Sequence, residues 1–237
     1  MILLPAIDLS EGRAVRLLRG DYNQMTVYNN DPVAVAKDFA EAGAKWVHLV
    51  DLDGAKSGET PNFETVLRIK KSCGLSCEIG GGIRNMETVE RYLAAGLDRV
   101  ILGTAALNDE AFLCRAVERY GERIAVGVDL KDGYVAVKGW TERSDTDAHT
   151  FFGKLQRIGV KTVICTDISR DGAMKGTNRA LYRELSLRYS MRLIASGGVS
   201  SMDDVRALAG MNLYGAIIGK AYYTGAIDLA AAIKETT

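Results

Sequence analysis

Eight short apolar runs punctuate the chain: ILLPAI (2–7), WVHLV (46–50), CEIG (77–80), RVILG (99–103), IAVGV (124–128), TVICT (162–166), RLIAS (192–196) and GAIIG (215–219). They are continuous rather than alternating, which suits strands covered on both faces in a parallel sheet. Between them run segments with apolar residues at helical spacing, such as PVAVAKDFAEAG, NFETVLRIKKS, METVERYLAAG and DEAFLCRAVERYG. Strand and helix alternating eight times predict an α/β fold, the (β/α)8 barrel. The rival is a doubly wound open sheet. That fold wants G-x-G-x-x-G after its first strand, whereas here the strand runs into Asp8-Leu9-Ser10.

The chain also repeats itself. IGGGIR (79–84) returns as ASGGVS (195–200), and Gly81 and Gly197 are 116 residues apart (197 − 81). Gly43 and Gly159, Asp51 and Asp167, and Gly103 and Gly219 share that offset, with Met86 on Met202, Val89 on Val205 and Ile101 on Ile217. With 25 glycines one match is unremarkable, but a collinear series is not. The pattern predicts two duplicated half-barrels, about 1–122 and 123–237, forming one domain over 1–237. Asp8 and Asp129 are 121 apart (129 − 8). They are equivalents if the first half carries five extra residues after its first strand.

In such barrels chemistry sits at the C-terminal ends of the strands. Gly81 and Gly82, with Arg84, follow strand three; Gly103 and Thr104 follow strand four. Gly197 and Gly198 repeat after strand seven, and Gly219 and Lys220 after strand eight. Glycine lets backbone N–H groups approach an anion closely, and a helix start adds partial positive charge. A tight strand-to-helix turn explains any one of these glycines equally well. Two sets kept through a duplication point instead to two phosphate cradles and a ligand with a phosphate at each end. The segment Gly215–Lys220 is one residue short of a P-loop and lacks its hydroxyl.

Asp8 and Asp129 end apolar strands, where a carboxylate is costly to desolvate unless paired, so acid/base chemistry is one reading and a helix cap or ion pair the other. Asp51, Asp53, Asp167 and Asp171 are further strand-end acids, and Thr166 ends strand six within reach of a substrate hydroxyl. Asp171 and Gly176 belong to the glycine-flanked loop SRDGAMKGTN, either a closing lid with Gly176 against the substrate or an exposed turn. Trp140 would stack on a flat heterocycle and Arg19 would fork onto a phosphate, unless each only packs or covers surface.

Charge narrows the partners. Lys plus Arg equals Asp plus Glu at 30 each, so no basic field favours nucleic acid or an anionic membrane. The start MILLPAIDL has no basic leader and no run approaches membrane-spanning length, which predicts a cytoplasmic location. Cys73, Cys77, Cys114 and Cys165 lack zinc or thioredoxin spacing, and His48 and His149 are the two imidazoles. Reduced thiols and no metal are expected.

Joined together, PAIDL (5–9), IGGGIR (79–84), VGVDLKDG (126–133), KGW (138–140), TDISRDG (166–172) and ASGGVSS (195–201) resemble the isomerase family of histidine biosynthesis along the whole chain. The resemblance implies an Amadori rearrangement of a bisphosphorylated aminoaldose ribotide to an aminoketose, with no cofactor and no obligate protein partner, by a monomer. It implies Asp8 as the base at the ribose C2 carbon and Asp129 as the acid. Thr166 and Asp171 assist, Asp171 being the alternative acid. The sister cyclase of imidazole glycerol phosphate synthesis usually has a cysteine in its first strand motif, where this chain reads Ala6-Ile7-Asp8-Leu9. A version that also isomerises phosphoribosyl anthranilate usually has arginine in place of Lys138, and a non-catalytic phospho-metabolite sensor is the reading from another class.

Overall fold

The computed structural model describes residues 1–18 and 20–236. Arg19 therefore lies outside the described residues. Eight strands run Ile2–Ser10, Trp46–Asp51, Ser76–Gly80, Arg99–Leu102, Ile124–Lys131, Thr162–Asp167, Arg192–Ser196 and Gly215–Ile218. Each pairs in parallel with the next, and the eighth returns to the first with Leu4 opposite Ile217. Ring closure leaves no unpaired edge among these strands. The fold is a (β/α)8 barrel.

Closure explains the continuous apolar runs. Val47, Leu49, Ile79, Val100, Val126 and Val163 face outward into the main core beneath the helices. Leu4, Ala6, Ile101, Ala125, Ile164, Ile194 and Ile217 form a second cluster inside the barrel. Both faces of each strand are thus buried, so neither needs polar alternation. Helices such as Pro32–Glu41, Phe63–Cys73, Met86–Ala94 and Glu110–Tyr120 lie where the periodicity predicts them. The halves also repeat local detail. Asn85 and Ser201, 116 apart, each cap a helix with the side chain on the backbone N–H three residues on, and Gly43 and Gly159 have φ of +92° and +93°.

The strand-to-helix segments differ from expectation. Barrel strands one and five run past their apolar cores and turn back as antiparallel ribbons, Arg13–Leu18 with Asp21–Asn29 and Tyr134–Val137 with Glu142–Asp147. Their two-residue turns, Glu11-Gly12 and Asp132-Gly133, have positive φ at both positions, the geometry whose twist matches paired strands. The first ribbon is the longer, which is where its half carries five more residues. The four cysteines are free, three of them buried, and among the described residues no helix is long and apolar enough to cross a membrane.

The halves meet at the short turn Gly121–Arg123, which runs straight into strand five. A separated half would expose two strand edges. We expect one cooperative calorimetric transition and no protease-resistant half; two well-separated transitions would contradict a single folding unit.

Candidate active site

The mouth of the barrel is built on carboxylates that do not face its cavity. Asp51 ends strand two fully buried, caps the short helix Leu52–Ser57 by accepting from Gly54 N at 2.8 Å, and accepts from Asn62 N at 3.2 Å and Nδ2 at 2.7 Å. Asp53 accepts from Ser10 Oγ, Glu11 N and Asn62 Nδ2 at 2.7–2.9 Å. Asp167 repeats the device, taking Ser169 N at 2.9 Å, its Oγ at 2.6 Å and Asn178 Nδ2 at 2.6 Å. Asn178 stands 116 residues beyond Asn62. Three of the six strand-end acids are therefore loop architecture.

The loops so fixed lie across the paired glycines. A Cβ on Gly81 would come 2.1 Å from the Asp51 carbonyl oxygen, and one on Gly82 1.9 Å from that of Gly54. On Gly197 and Gly198 it would meet the Asp167 and Gly176 carbonyl oxygens at 2.6 Å. All four residues have positive φ. Glycine is required here by backbone packing, whatever the turns bind. Gly103 differs: its open side meets nothing within 4 Å, and that of Gly219 meets only the Arg16 guanidinium, at 3.0 Å.

These turns rim a cavity of about 890 Å³. Gly81, Gly82, Arg84, Gly103 and Thr104 line one side of it. Gly197, Gly198, Gly219 and Lys220 line the other, four strands around the ring. Lys220 Nζ donates to the Gly172 carbonyl at 3.0 Å, while Arg84 Nη2 donates to that of Ala55 at 3.0 Å. Gly176 does not line the cavity; its N–H donates to Ser200 Oγ at 3.1 Å and its carbonyl backs Gly198.

Between the two sides lie Asp8, Asp129, Thr166 and Asp171. Asp8 Oδ2 is 2.9 Å from Arg16 Nη1, and Arg16 Nη2 donates to the Ala6 carbonyl at 2.8 Å. Burial works against the Arg16 charge, but Asp8, Tyr223 and Asp171 outweigh it and raise the group further. Asp129 and Asp171 are half-buried, each touching the cavity yet deep among protein atoms. Burial pushes the Asp129 carboxyl up, opposed by hydrogen bonds from Trp140 and Thr166 and by the nearby His48 ring. Burial also pushes Asp171 up, to about 6; Arg16 and Lys220 pull it down while Asp8 and Asp129 push it higher.

Trp140 belongs to the turn Lys138-Gly139-Trp140, all three at positive φ. Its ring lies on Gly20, where a Cβ would be 2.5 Å from Cε3, so the indole bridges the first and second ribbons beside Asp129. Sequence reasoning missed two cavity residues, Arg16 and His48. The available signal for His48 was a polar residue inside an apolar strand; it stands in register with Ala6, two residues before Asp8, and so faces the lumen. Among the described residues no group of three or more His, Cys, Asp or Glu is placed to hold a metal ion.

A family model described as a histidine biosynthesis protein matches residues 2–228. The chain belongs to this family. A relative from Oceanobacillus iheyensis is 49% identical over 97% of this chain and 95% of its own length. Relatives from Lactococcus lactis subsp. cremoris (strain SK11) and Clostridium botulinum (strain Okra / Type B1) are 50% and 45% identical, over 97% and 99% of this chain and 94% and 97% of theirs. All three are named 1-(5-phosphoribosyl)-5-((5-phosphoribosylamino)methylideneamino) imidazole-4-carboxamide isomerase.

Gly82→Ala forces a Cβ into the Gly54 carbonyl and is expected to lower stability by about 3 kcal/mol or more. Gly103→Ala has room and should melt like wild type while weakening a bisphosphate ligand. Thermal melts and ligand titrations of both variants check this, and equal melting losses would refute it.

Asp171 yields a pH-dependent expectation. Its folded value of about 6 lies above the ordinary 3.8, so the folded state holds that proton more tightly and loses relative stability as pH rises between the two. Asp171→Asn should therefore stabilise the protein by up to about 3 kcal/mol at pH 8 and by little at pH 4. Melting at both pH values tests it; a variant destabilised at pH 8 contradicts the burial argument.

Proposed function

We propose that this chain converts the phosphoribosylformimino-aminoimidazole-carboxamide ribotide, an aminoaldose with a phosphate at each end, into its phosphoribulosyl aminoketose. The observation that carries this reading is a set of unlike carboxyl groups at the centre of a cavity with glycine turns on both sides. Asp8 stands 2.9 Å from the Arg16 guanidinium, while burial raises Asp171 to about 6. One is suited to take a proton and the other to give one.

The reaction needs both roles. An acid protonates the ribose ring oxygen as the C1–O bond breaks and the amine lone pair forms a C=N bond. A base then removes the C2 proton, giving an enaminol that becomes the ketone as C1 gains a proton and the C2 hydroxyl gives up its own. Asp8 is the base. Asp171 is the better acid, because Asp129 already accepts from the Trp140 indole and the Thr166 hydroxyl. Asp129 then orients Trp140 and Thr166 toward the substrate. In this reading the backbone turns after strands three, four, seven and eight take the phosphates.

The test is conversion of the ribotide by purified protein without ammonia or a glutaminase, with the product identified and deuterium incorporation from solvent measured. The aminoketose is expected. Asp8→Asn should cut kcat on the order of 10²–10⁴-fold and abolish exchange at C2 with affinity largely kept. Turnover and exchange at wild-type rates in Asp8→Asn would sink the mechanism. A dead Asp129→Asn beside an active Asp171→Asn would return the acid to strand five.

A further inference from the structure

Below the carboxylates the barrel lumen holds an unexpected charged group. His48, Glu78 and Arg99 occupy one register row on strands two, three and four, level with Ala6. Glu78 is fully buried and Arg99 is 3% exposed. Arg99 Nε donates to Glu78 Oε2 at 2.8 Å; Nη2 lies 2.6 Å from the same oxygen but out of line for a hydrogen bond, so it adds charge alone. The Trp46 ring supports the guanidinium from 4.4 Å. Burial would push the Glu78 carboxyl up, yet its interactions with His48 and the Arg99 guanidinium outweigh it and hold it below the ordinary range.

Glu78 Oε1 lies 2.6 Å from His48 Nδ1. An ionised carboxylate has no proton to give, so Nδ1 must carry one. That leaves Nε2 as the working atom of the ring. It has no hydrogen-bond partner among the described residues, and the side chain, 12% exposed, borders the cavity near Asp129.

We propose that Glu78, braced by Arg99, is a positioning residue that holds His48 with Nδ1–H turned inward and Nε2 presented to the sugar hydroxyls at the reacting centre. The proposal rests on the isomerase reading. It gives the buried charges a purpose that an apolar filling of the same volume would not serve, since buried ion pairs contribute little to stability over well-packed hydrocarbon. The ring acts through a fixed tautomer, as a base held by a third group does in other sites.

His149→Gln leaves His48 as the sole imidazole, because the chain has two histidines. Nitrogen-15 spectra of that protein at alkaline pH are expected to show Nδ1 protonated; an Nε2–H tautomer overturns the proposal with no further variant. Adding Glu78→Gln, whose amide both donates and accepts, should mix the tautomers. It should lower kcat on the order of 10²-fold with KM within about twofold. A folded Glu78→Gln protein with unchanged kcat and tautomer contradicts the proposal, since mere space filling would cost melting temperature only. If the unpaired Arg99 prevents folding, Glu78→Gln with Arg99→Met removes both charges and is read the same way. Absence of ribotide turnover in wild type would fail the isomerase reading, while the tautomer measurement would still decide the role of Glu78.

Discussion

Two buried carboxylates that never touch the cavity hold its mouth in shape. Asp51 and Asp167 each end a barrel strand and gather hydrogen bonds from the loop that follows, with Asn62 and Asn178 as matching donors. A carboxylate at such depth is tolerable only when its lone pairs are met. Once they are, the loop carbonyls stand fixed over Gly81–Gly82 and Gly197–Gly198, where no side chain fits. The glycine turns thereby become rigid, and rigid backbone donors need no reorganisation when an anion arrives.

With the rim fixed, the lumen sorts its acids by surroundings. Asp8 has a guanidinium, Asp129 has an indole N–H and a hydroxyl, and Asp171 has chiefly burial. Identical side chains thus sit in unlike surroundings within one cavity, and burial raises two of them, Asp129 and Asp171. Arg16 links this sorting to the rim, because the guanidinium that holds Asp8 also fills the open side of Gly219. Below them the Arg99–Glu78–His48 row extends the same logic one layer deeper.

Much of this was legible in the sequence, for physical reasons. Strands buried on both faces write continuous apolar runs, and glycines pinned by backbone contacts keep their spacing through duplication, so barrel and repeat could both be read. The ribbons could not, because segments such as Asp21–Asn29 have no buried residue and carry no apolar signature. Nor could Asp8 be told from Asp51: both end apolar strands, and only side-chain direction sends one to the cavity and the other beneath a loop. Gly176 looked like a ligand glycine and instead backs Gly198. Arg16 carried no sequence signal, since a ribbon strand's facing is set by its register with strand one, Asp8 opposite Val15. His48, Glu78 and Arg99 were visible as polar residues within apolar strands, but only the closed ring makes them neighbours.

On the proposed reaction, one bisphosphate spans the mouth with its reacting carbons over the lumen acids. A crystal structure of Asp8→Asn with the ribotide bound tests it most directly. One phosphate is expected against Gly81–Gly82 and Gly103, the other against Gly197–Gly198 and Gly219, and the C2 hydrogen directed at residue 8. Both phosphates on one side of the mouth, or C2 turned away from residue 8, would contradict it.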